Sequence, residues 1–277
     1  MAFLIGTLRG GYCGVKKPAA ITKITRPFLT RIFPRKTLFQ HLEDSRDRPI
    51  IWVSGPPGSG KTTLVASYLD ACKLPCLWYQ VDEGDSDIST FFYYLGLAAK
   101  KATSRNRKPL PLLTPEYLLG IPTFTLRFFE SLFSRLATPF ILVFDNYQQV
   151  PSDSKFHEVM SHGLGIVPKK INVIVISRGE PPSQLVRLRA NNKLSFLGWN
   201  EIRFTMDETR EMVYKEGQRD LSDSTLYHLH KKTEGWAAGL VLMMEMAKRE
   251  AIDYQSMNRI TPKEIFYYFA NELFNRT

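Results

Sequence analysis

Long apolar runs are missing from this chain. Nowhere in its 277 residues does an uninterrupted apolar stretch approach the roughly 18 needed to cross a bilayer, so no membrane partner is expected. A secretory leader is not visible either, because Met1-Ala-Phe-Leu-Ile-Gly-Thr-Leu8 lacks a basic n-region and is too short. Cysteine is scarce: Cys13, Cys72 and Cys76 cannot all pair, and no neighbouring Cys or His completes a zinc site. Buried free thiols and a cytoplasmic location are the expectation. Internal repeats, heptads and a Ser-His-Asp order are absent. His228 and His230 stand two apart on an expected helix, do not share a face, and read as structural. Acidic residues are outnumbered, 27 against 37 Lys and Arg, for a net charge of +10. The excess gathers in an N-terminal arm (Lys16, Lys17, Lys23, Arg26, Arg31, Arg35, Lys36) and in Arg105-Asn-Arg-Lys108, neither of which contains a DNA-reading motif. Solvated surface is the simpler expectation, with a nucleic-acid or acidic partner as the alternative.

What the chain does have is concentrated in Ile50-Ile-Trp-Val-Ser-Gly-Pro-Pro-Gly-Ser-Gly-Lys-Thr-Thr63. An apolar run of strand type enters a glycine-rich loop and leaves as a helix. Gly55, Gly60, Lys61 and Thr62 fit the spacing G-x-x-x-x-G-K-[ST] of a phosphate-binding loop. Glycines at 55, 58 and 60 let the backbone turn its N–H groups inward on an anion. Lys61 is expected to reach the β/γ-phosphates, and the Thr62 hydroxyl to ligate Mg²⁺. The helix opening near Lys61 and Thr63 aims its positive end at the phosphates. The expected ligand set for a nucleoside triphosphate is therefore Gly55, Pro56, Pro57, Gly58, Ser59, Gly60, Lys61, Thr62 and Thr63.

The remaining chain reads as alternating strands and helices, then helices alone. Residues 1–24 lack periodicity and are expected to be disordered or loosely attached. A short helix is expected over Lys36 to Leu42, and further strands over Cys76 to Val81, Pro139 to Asp145 and Ile171 to Ser177, with a last one over Glu201 to Phe204. The acidic loop Asp82-Glu-Gly-Asp-Ser-Asp87 does not fit an EF-hand and reads as the cap of a helix over Ile88 to Lys101. Lys108 to Pro122 reads as a surface loop, and Thr123 to Leu136 as a helix. Phe140-Ile-Leu-Val-Phe-Asp145 is a buried strand closed by an acid, the pattern that places a carboxylate on Mg²⁺ beside a phosphate loop. Arg178 follows the next strand at the sheet edge where ligands of open α/β sheets bind, and reads as a γ-phosphate sensor. Beyond residue 204, Thr205-Met-Asp-Glu208 is a capping box and Ser222 a second cap. Gly235-Trp-Ala-Ala-Gly-Leu240 opens a helix to about Glu250. A fourth helix after Thr261 is expected to carry an uncovered apolar stripe through Ile265, Phe266, Phe269 and Leu273.

Taken in order, Gly55 to Thr62, Trp78-Tyr-Gln-Val-Asp-Glu-Gly-Asp85, Phe140 to Asp145, Ile174-Val-Ile-Ser-Arg178 and Gly235 to Leu240 resemble a family. They are similar to the STAND class of AAA+-related signalling NTPases, in particular to bacterial transcriptional activators of the maltose-regulon type. Arg26-Pro-Phe-Leu and Phe33-Pro-Arg35 also look like the segment before the phosphate loop in such regulators. The resemblance implies a three-layer α/β/α P-loop NTPase domain over residues 25–204 with a five-stranded parallel sheet in the order 5-1-4-3-2. A small all-α domain follows over residues 205–277, incomplete at its C-terminal end. It further implies a switch between a closed ADP form and an ATP form that self-associates through the NTPase domain. DNA contact would come only through winged-helix and DNA-binding regions that such regulators carry downstream and that this chain does not. In that family the proline of the helical-domain motif touches the adenine; here Trp236, Ala237 and Ala238 occupy the region.

Family members usually place two acids at the end of the third strand, whereas Asp145 is followed by Asn146. An amide cannot accept a proton from attacking water at neutral pH, so hydrolysis is expected to be weak or absent. Glu83, at the end of the second strand, is the alternative base. The catalytic candidates are therefore Asp145, Asn146, Arg178 and Glu83, with Thr62 and Asp145 as the Mg²⁺ ligands. A stand-alone AAA+-like ATPase and a non-functional truncated remnant remain the alternatives. A GTPase is disfavoured, because Asn192-Lys193-Leu194 is followed by Ser195 and not by a guanine-reading Asp.

Overall fold

Short runs rich in β-branched and aromatic residues, four to seven residues long, are too brief for buried helices and pair instead as strands. The computed structural model describes residues 21–29, 32–103, 109–217 and 221–250. Cys13, the 105–108 basic cluster and the expected fourth helix with its apolar stripe lie outside the described residues. In chain order, α1 (Lys36–Asp44) leads to β1 (Ile50–Ser54), α2 (Lys61–Cys72), β2 (Cys76–Gln80) and α3 (Ile88–Ala102). Then come α4 (Ile121–Phe133), β3 (Phe140–Asp145), α5 (Phe156–Gly165), β4 (Ile171–Ser177), the short α6 (Val186–Ala190) and β5 (Leu194–Leu197). The chain continues through α7 (Trp199–Ile202), α8 (Met206–Lys215), α9 (Asp223–Thr233) and α10 (Ala237–Glu250).

The five strands form one parallel sheet in the order β2-β3-β4-β1-β5, as expected, with β4 between β1 and β3. Their side chains alternate between two cores. Ile50, Trp52, Leu142, Phe144, Val173 and Val175 face one cluster, which is closed by apolar residues of α3, α4 and α5. Ile51, Val53, Ile141, Val143, Ile174 and Ile176 face the other, closed by α1 and α2. Helices on both faces explain why these strands read as continuous apolar runs. A third cluster, with Phe204, Val213, Leu226, Leu229, Leu240 and Met243, holds α8, α9 and α10 together. The Thr205 cap of α8 forms in full: the Glu208 N–H donates to Thr205 Oγ1 at 3.2 Å and Thr205 N–H donates to the Glu208 carboxylate at 3.0 Å.

Four expectations need correction. The last strand is Leu194–Leu197 and not Glu201 to Phe204. Leu194 to Leu197 pairs with Ile50 to Val53, while the Glu201 carboxylate accepts from the Gly198 N–H at 2.9 Å and so draws the following residues into α7. Ile121 and Pro122 belong to the first turn of α4, where proline lacks only an N–H that would have no helical partner. Cys72 is exposed, at the last position of α2, and Cys76 is half-buried. Within the segment expected to be loose, Thr22–Ile24 forms a 3₁₀ turn with Ile24 buried.

Of the basic arm, Lys16, Lys17 and Arg31 lie outside the described residues, while Lys23, Arg26 and Arg35 are not simply solvated. Lys23 donates to Asp85 at 2.9 Å, and Asp85 is itself fully buried and accepts from the Tyr79 hydroxyl at 2.6 Å. Arg26 pairs with Asp70. Arg35 is 7 % exposed; it donates to the Glu208 carboxylate at 3.0 and 2.7 Å, to Arg203 O at 2.9 Å and to Ile202 O. Its guanidinium also stacks 4.3 Å from the Phe204 ring centroid. Removing that group takes the cation from the Glu208 carboxylate, which keeps only the Thr205 N–H, and a donor from two carbonyls. Arg35→Ala is therefore expected to lower unfolding free energy by about 3 kcal/mol or more in urea titrations. Arg35→Lys should recover only part, because an ammonium cannot span the same acceptors. A loss within about 0.5 kcal/mol, the range of ordinary surface substitutions, would show that the arm is not held this way.

Candidate nucleotide site

The glycine-rich loop joins β1 to α2 at the carboxyl edge of the sheet. Gly58 and Gly60 take left-handed φ values of 70° and 84°, which favour glycine, and Gly60 is the N-cap of α2. Gly55 packs closely on Ile202: a Cβ there would fall 2.5 Å from Ile202 Cδ1, which would have to move aside. Pro56, Pro57, Gly58 and Thr63 are exposed, whereas Ser59 is buried. The Lys61 ammonium curls back over the loop and donates to Gly55 O at 2.7 Å, Pro56 O at 2.9 Å and Ser59 Oγ at 3.2 Å. Burial, and next the repulsion of Arg178, lower its pKa from 10.5 to about 8, against the opposing pull of Asp145.

Asp145 closes β3 and is 1 % exposed. The Thr62 hydroxyl lies 3.1 Å from both of its carboxylate oxygens, and the Asn146 N–H donates to Oδ1 at 2.9 Å. Burial holds its carboxyl above the usual range, partly offset by Thr62, Asn146 and Lys61. Among the described residues no cluster of three or more His, Cys, Asp or Glu could hold a metal. The hydroxyl of Thr62 and the desolvated carboxylate of Asp145 offer two hard oxygen donors, which suits Mg²⁺, an ion that keeps waters and binds phosphate oxygens. When bound, Mg²⁺ would neutralise phosphate charge there.

The structure thus brings Lys61, Thr62 and Asp145 together, with Arg178 close enough to repel the lysine. Arg178 is exposed and directly follows β4. Asn146 has φ 61°, a left-handed conformation that asparagine tolerates, and it turns the chain out of the sheet. Glu83 is exposed on the turn Glu83–Ser86 after β2, and the sheet order puts that edge strand three places from β1. Two contacts were not legible in the sequence. The Trp236 indole N–H donates to Pro57 O at 2.8 Å, and the Ala238 N–H donates to Gly58 O at 3.0 Å. Both come from the Gly235-Trp-Ala-Ala-Gly motif, whose signal marked a helix start but not what that helix meets. Gly235, at φ 78°, allows the approach, since a Cβ would lie 2.4 Å from Phe204 O.

A phosphate-type loop between β1 and α2, an acid ending β3, and β4 between those strands define a P-loop NTPase module. The chain is 26% identical over 262 residues, 92% of its length, to the HTH-type transcriptional regulator MalT of Cronobacter sakazakii. It is also 26% identical over 263 residues to the regulator of the same name from Vibrio campbellii. The chain spans about 28% of the length of these curated relatives. Among solved structures, a Walker-type ATPase of Pyrococcus abyssi is similar in fold, with a TM-score of 0.52 at 16% identity over 89% of this chain and 77% of that one. Residues 30–178 match the family described as Nephrocystin 3, N-terminal, and the chain belongs to that family.

The depressed Lys61 pKa has a sign that can be tested without any ligand. The folded state disfavours the charged lysine, so the destabilisation is fully present below about pH 8 and is relieved as pH rises toward the unfolded value of 10.5. Wild-type stability should therefore gain on that of Lys61→Met between pH 8 and 10.5, as read from paired denaturant titrations. Parallel pH profiles would remove the burial of this ammonium from the description.

Proposed function

We propose that this chain is the ATP/ADP-binding switch module of a STAND-type signalling ATPase, part of a transcriptional regulator, that holds its nucleotide and hydrolyses it slowly. The observation that carries this reading is the direct hydrogen bonding of Trp236 and Ala238 to the phosphate loop at Pro57 and Gly58. A loop that changes shape around a phosphate moves the acceptors on which the α8–α10 cluster rests. Phosphate occupancy and the position of that cluster are then one equilibrium, as a switch requires. In this reading residues 25–204 are the NTPase domain and 205–277 the helical one. Gly55 to Thr63 wrap the phosphates, Lys61 pairs with the β/γ end, Thr62 and Asp145 hold Mg²⁺, and Arg178 senses the γ-phosphate. Self-association runs through the NTPase domain, and DNA binding belongs to other regions of the regulator.

The first test is calorimetry with Mg-ATP. Lys61→Ala is expected to weaken binding about 10- to 100-fold, the scale of a lost charged hydrogen bond, while the fold is retained. Unchanged affinity would place the nucleotide elsewhere.

Slow turnover follows from Asn146, whose amide cannot serve as a base. Single-turnover hydrolysis should be weak in the wild type and rise in Asn146→Asp, since aspartate also accepts the left-handed backbone. If Asn146→Asp leaves the rate unchanged while Glu83→Gln abolishes it, the base is Glu83 and this assignment fails.

A further inference from the structure

The β3–β4 ladder ends at Phe144↔Val175, because Asn146 leaves the sheet in a left-handed turn. Three residues further along, the main-chain N–H of Arg178 has no strand beside it on that side. The Gln148 side chain takes the place of the missing strand: its Oε1 accepts the Arg178 N–H at 3.1 Å. On the other flank the β1–β4 ladder ends at Ser54↔Ser177, and Gly179 O then accepts from the Trp52 indole at 2.9 Å and the Ser54 hydroxyl at 3.0 Å. The fully buried Trp52 lies edge-on to Tyr147, with ring centroids 5.0 Å apart. Tyr147 and Gln148 are neighbours on one 3₁₀ turn, Tyr147–Gln149, immediately after Asp145 and Asn146. That single turn therefore grips both sides of Arg178, directly through Gln148 and through Tyr147 and Trp52 to Gly179. The arginine itself remains exposed.

We propose that Gln148 is a positioning residue for Arg178, fixing the arginine relative to the Asp145 carboxylate so that the two ends of a bound triphosphate chain are met at a set separation. The inference rests on the nucleotide reading above and deepens it by naming what distinguishes ATP from ADP. Main-chain pinning leaves the guanidinium free to reach the terminal phosphate, while the metal-binding carboxylate and the arginine are held from one turn. A gap of this kind matters because positioning errors of about 1 Å are enough to forfeit a charged contact.

The test is a double-mutant cycle read as the ratio of Mg-ATP to Mg-ADP affinity. Arg178→Ala is expected to lower that ratio about 10- to 100-fold, the scale of a charged hydrogen bond. Gln148→Met keeps the length of the side chain but removes the acceptor. It should lower the ratio about 2- to 10-fold and leave ADP affinity, which also reports the fold, as in wild type. Introduced into Arg178→Ala, it should change the ratio no further, because Gln148 acts only through the arginine. A ratio unmoved by Gln148→Met, or moved equally in both backgrounds, overturns the inference and leaves the nucleotide reading standing. An ADP affinity that falls as much as ATP affinity assigns Gln148 a merely structural role and also overturns it. Absence of binding by either nucleotide in the wild type overturns the nucleotide reading itself and the inference with it.

Discussion

The candidate site is where hydrogen-bonded ladders stop. The three inner strands β3, β4 and β1 are paired on both flanks, but at the carboxyl edge their ladders stop and the polar groups beyond still require partners. Side chains supply them. Trp52 and Ser54 take the carbonyl of Gly179, Gln148 takes the amide of Arg178, and the Lys61 ammonium takes the carbonyls of Gly55 and Pro56. Polar side chains are thus drawn to one edge for reasons of backbone satisfaction, and the same convergence gathers charge around a single loop. Lys61 and Arg178 repel each other across it, and buried Asp145 only partly compensates. A chain of phosphates with a divalent cation would relieve both strains.

The second organising feature is attachment of the α8–α10 cluster to that loop from two sides. Ile202 packs against Gly55, and Arg35 binds the carbonyls of Ile202 and Arg203 together with Glu208 of α8. On the other side Trp236 and Ala238 hydrogen-bond to Pro57 and Gly58. The contacts differ in kind. The Arg35 set is buried and charged, so it is costly to break, whereas Trp236 makes its bond at an exposed surface. The Trp236 contact is therefore the weaker of the two attachments. Cys72, exposed at the end of α2, lies outside this system.

Much of this was legible from local pattern. Apolar runs bounded by turn residues located β1 to β4, because strands buried on both faces carry little but apolar side chains. The phosphate loop was legible because its glycines answer to backbone conformation and close approach, at Gly60 and Gly55 respectively. The strand order came with the family resemblance. β5 is not legible, since Leu194-Ser-Phe-Leu197 is only four residues long, is interrupted by Ser195, and is fixed as a strand by pairing with β1. The pairing of Lys23, Arg26 and Arg35 is illegible for a related reason. Lys23, Arg26 and Arg35 look like solvated charge in sequence, while their partners Asp85, Asp70 and Glu208 lie 62, 44 and 173 residues away. Long-range ion pairs leave no local signature. Nor does a side chain that substitutes for a missing strand, as Gln148 does.

Asn146 connects the strand ending to the chemistry of the site. As a departure from a two-acid pattern it suggests only a weakened base. In the structure the same residue carries a left-handed φ and so ends the β3–β4 ladder. That ending is what leaves the Arg178 amide to Gln148 and lets the next turn fold back against Trp52. Few residues other than glycine accept that backbone conformation readily, and asparagine and aspartate are foremost among them. Aspartate would add a second carboxylate beside the buried Asp145, whose charged form burial already disfavours. Asparagine keeps the turn without that repulsion. The geometry of the turn can therefore be retained independently of base strength.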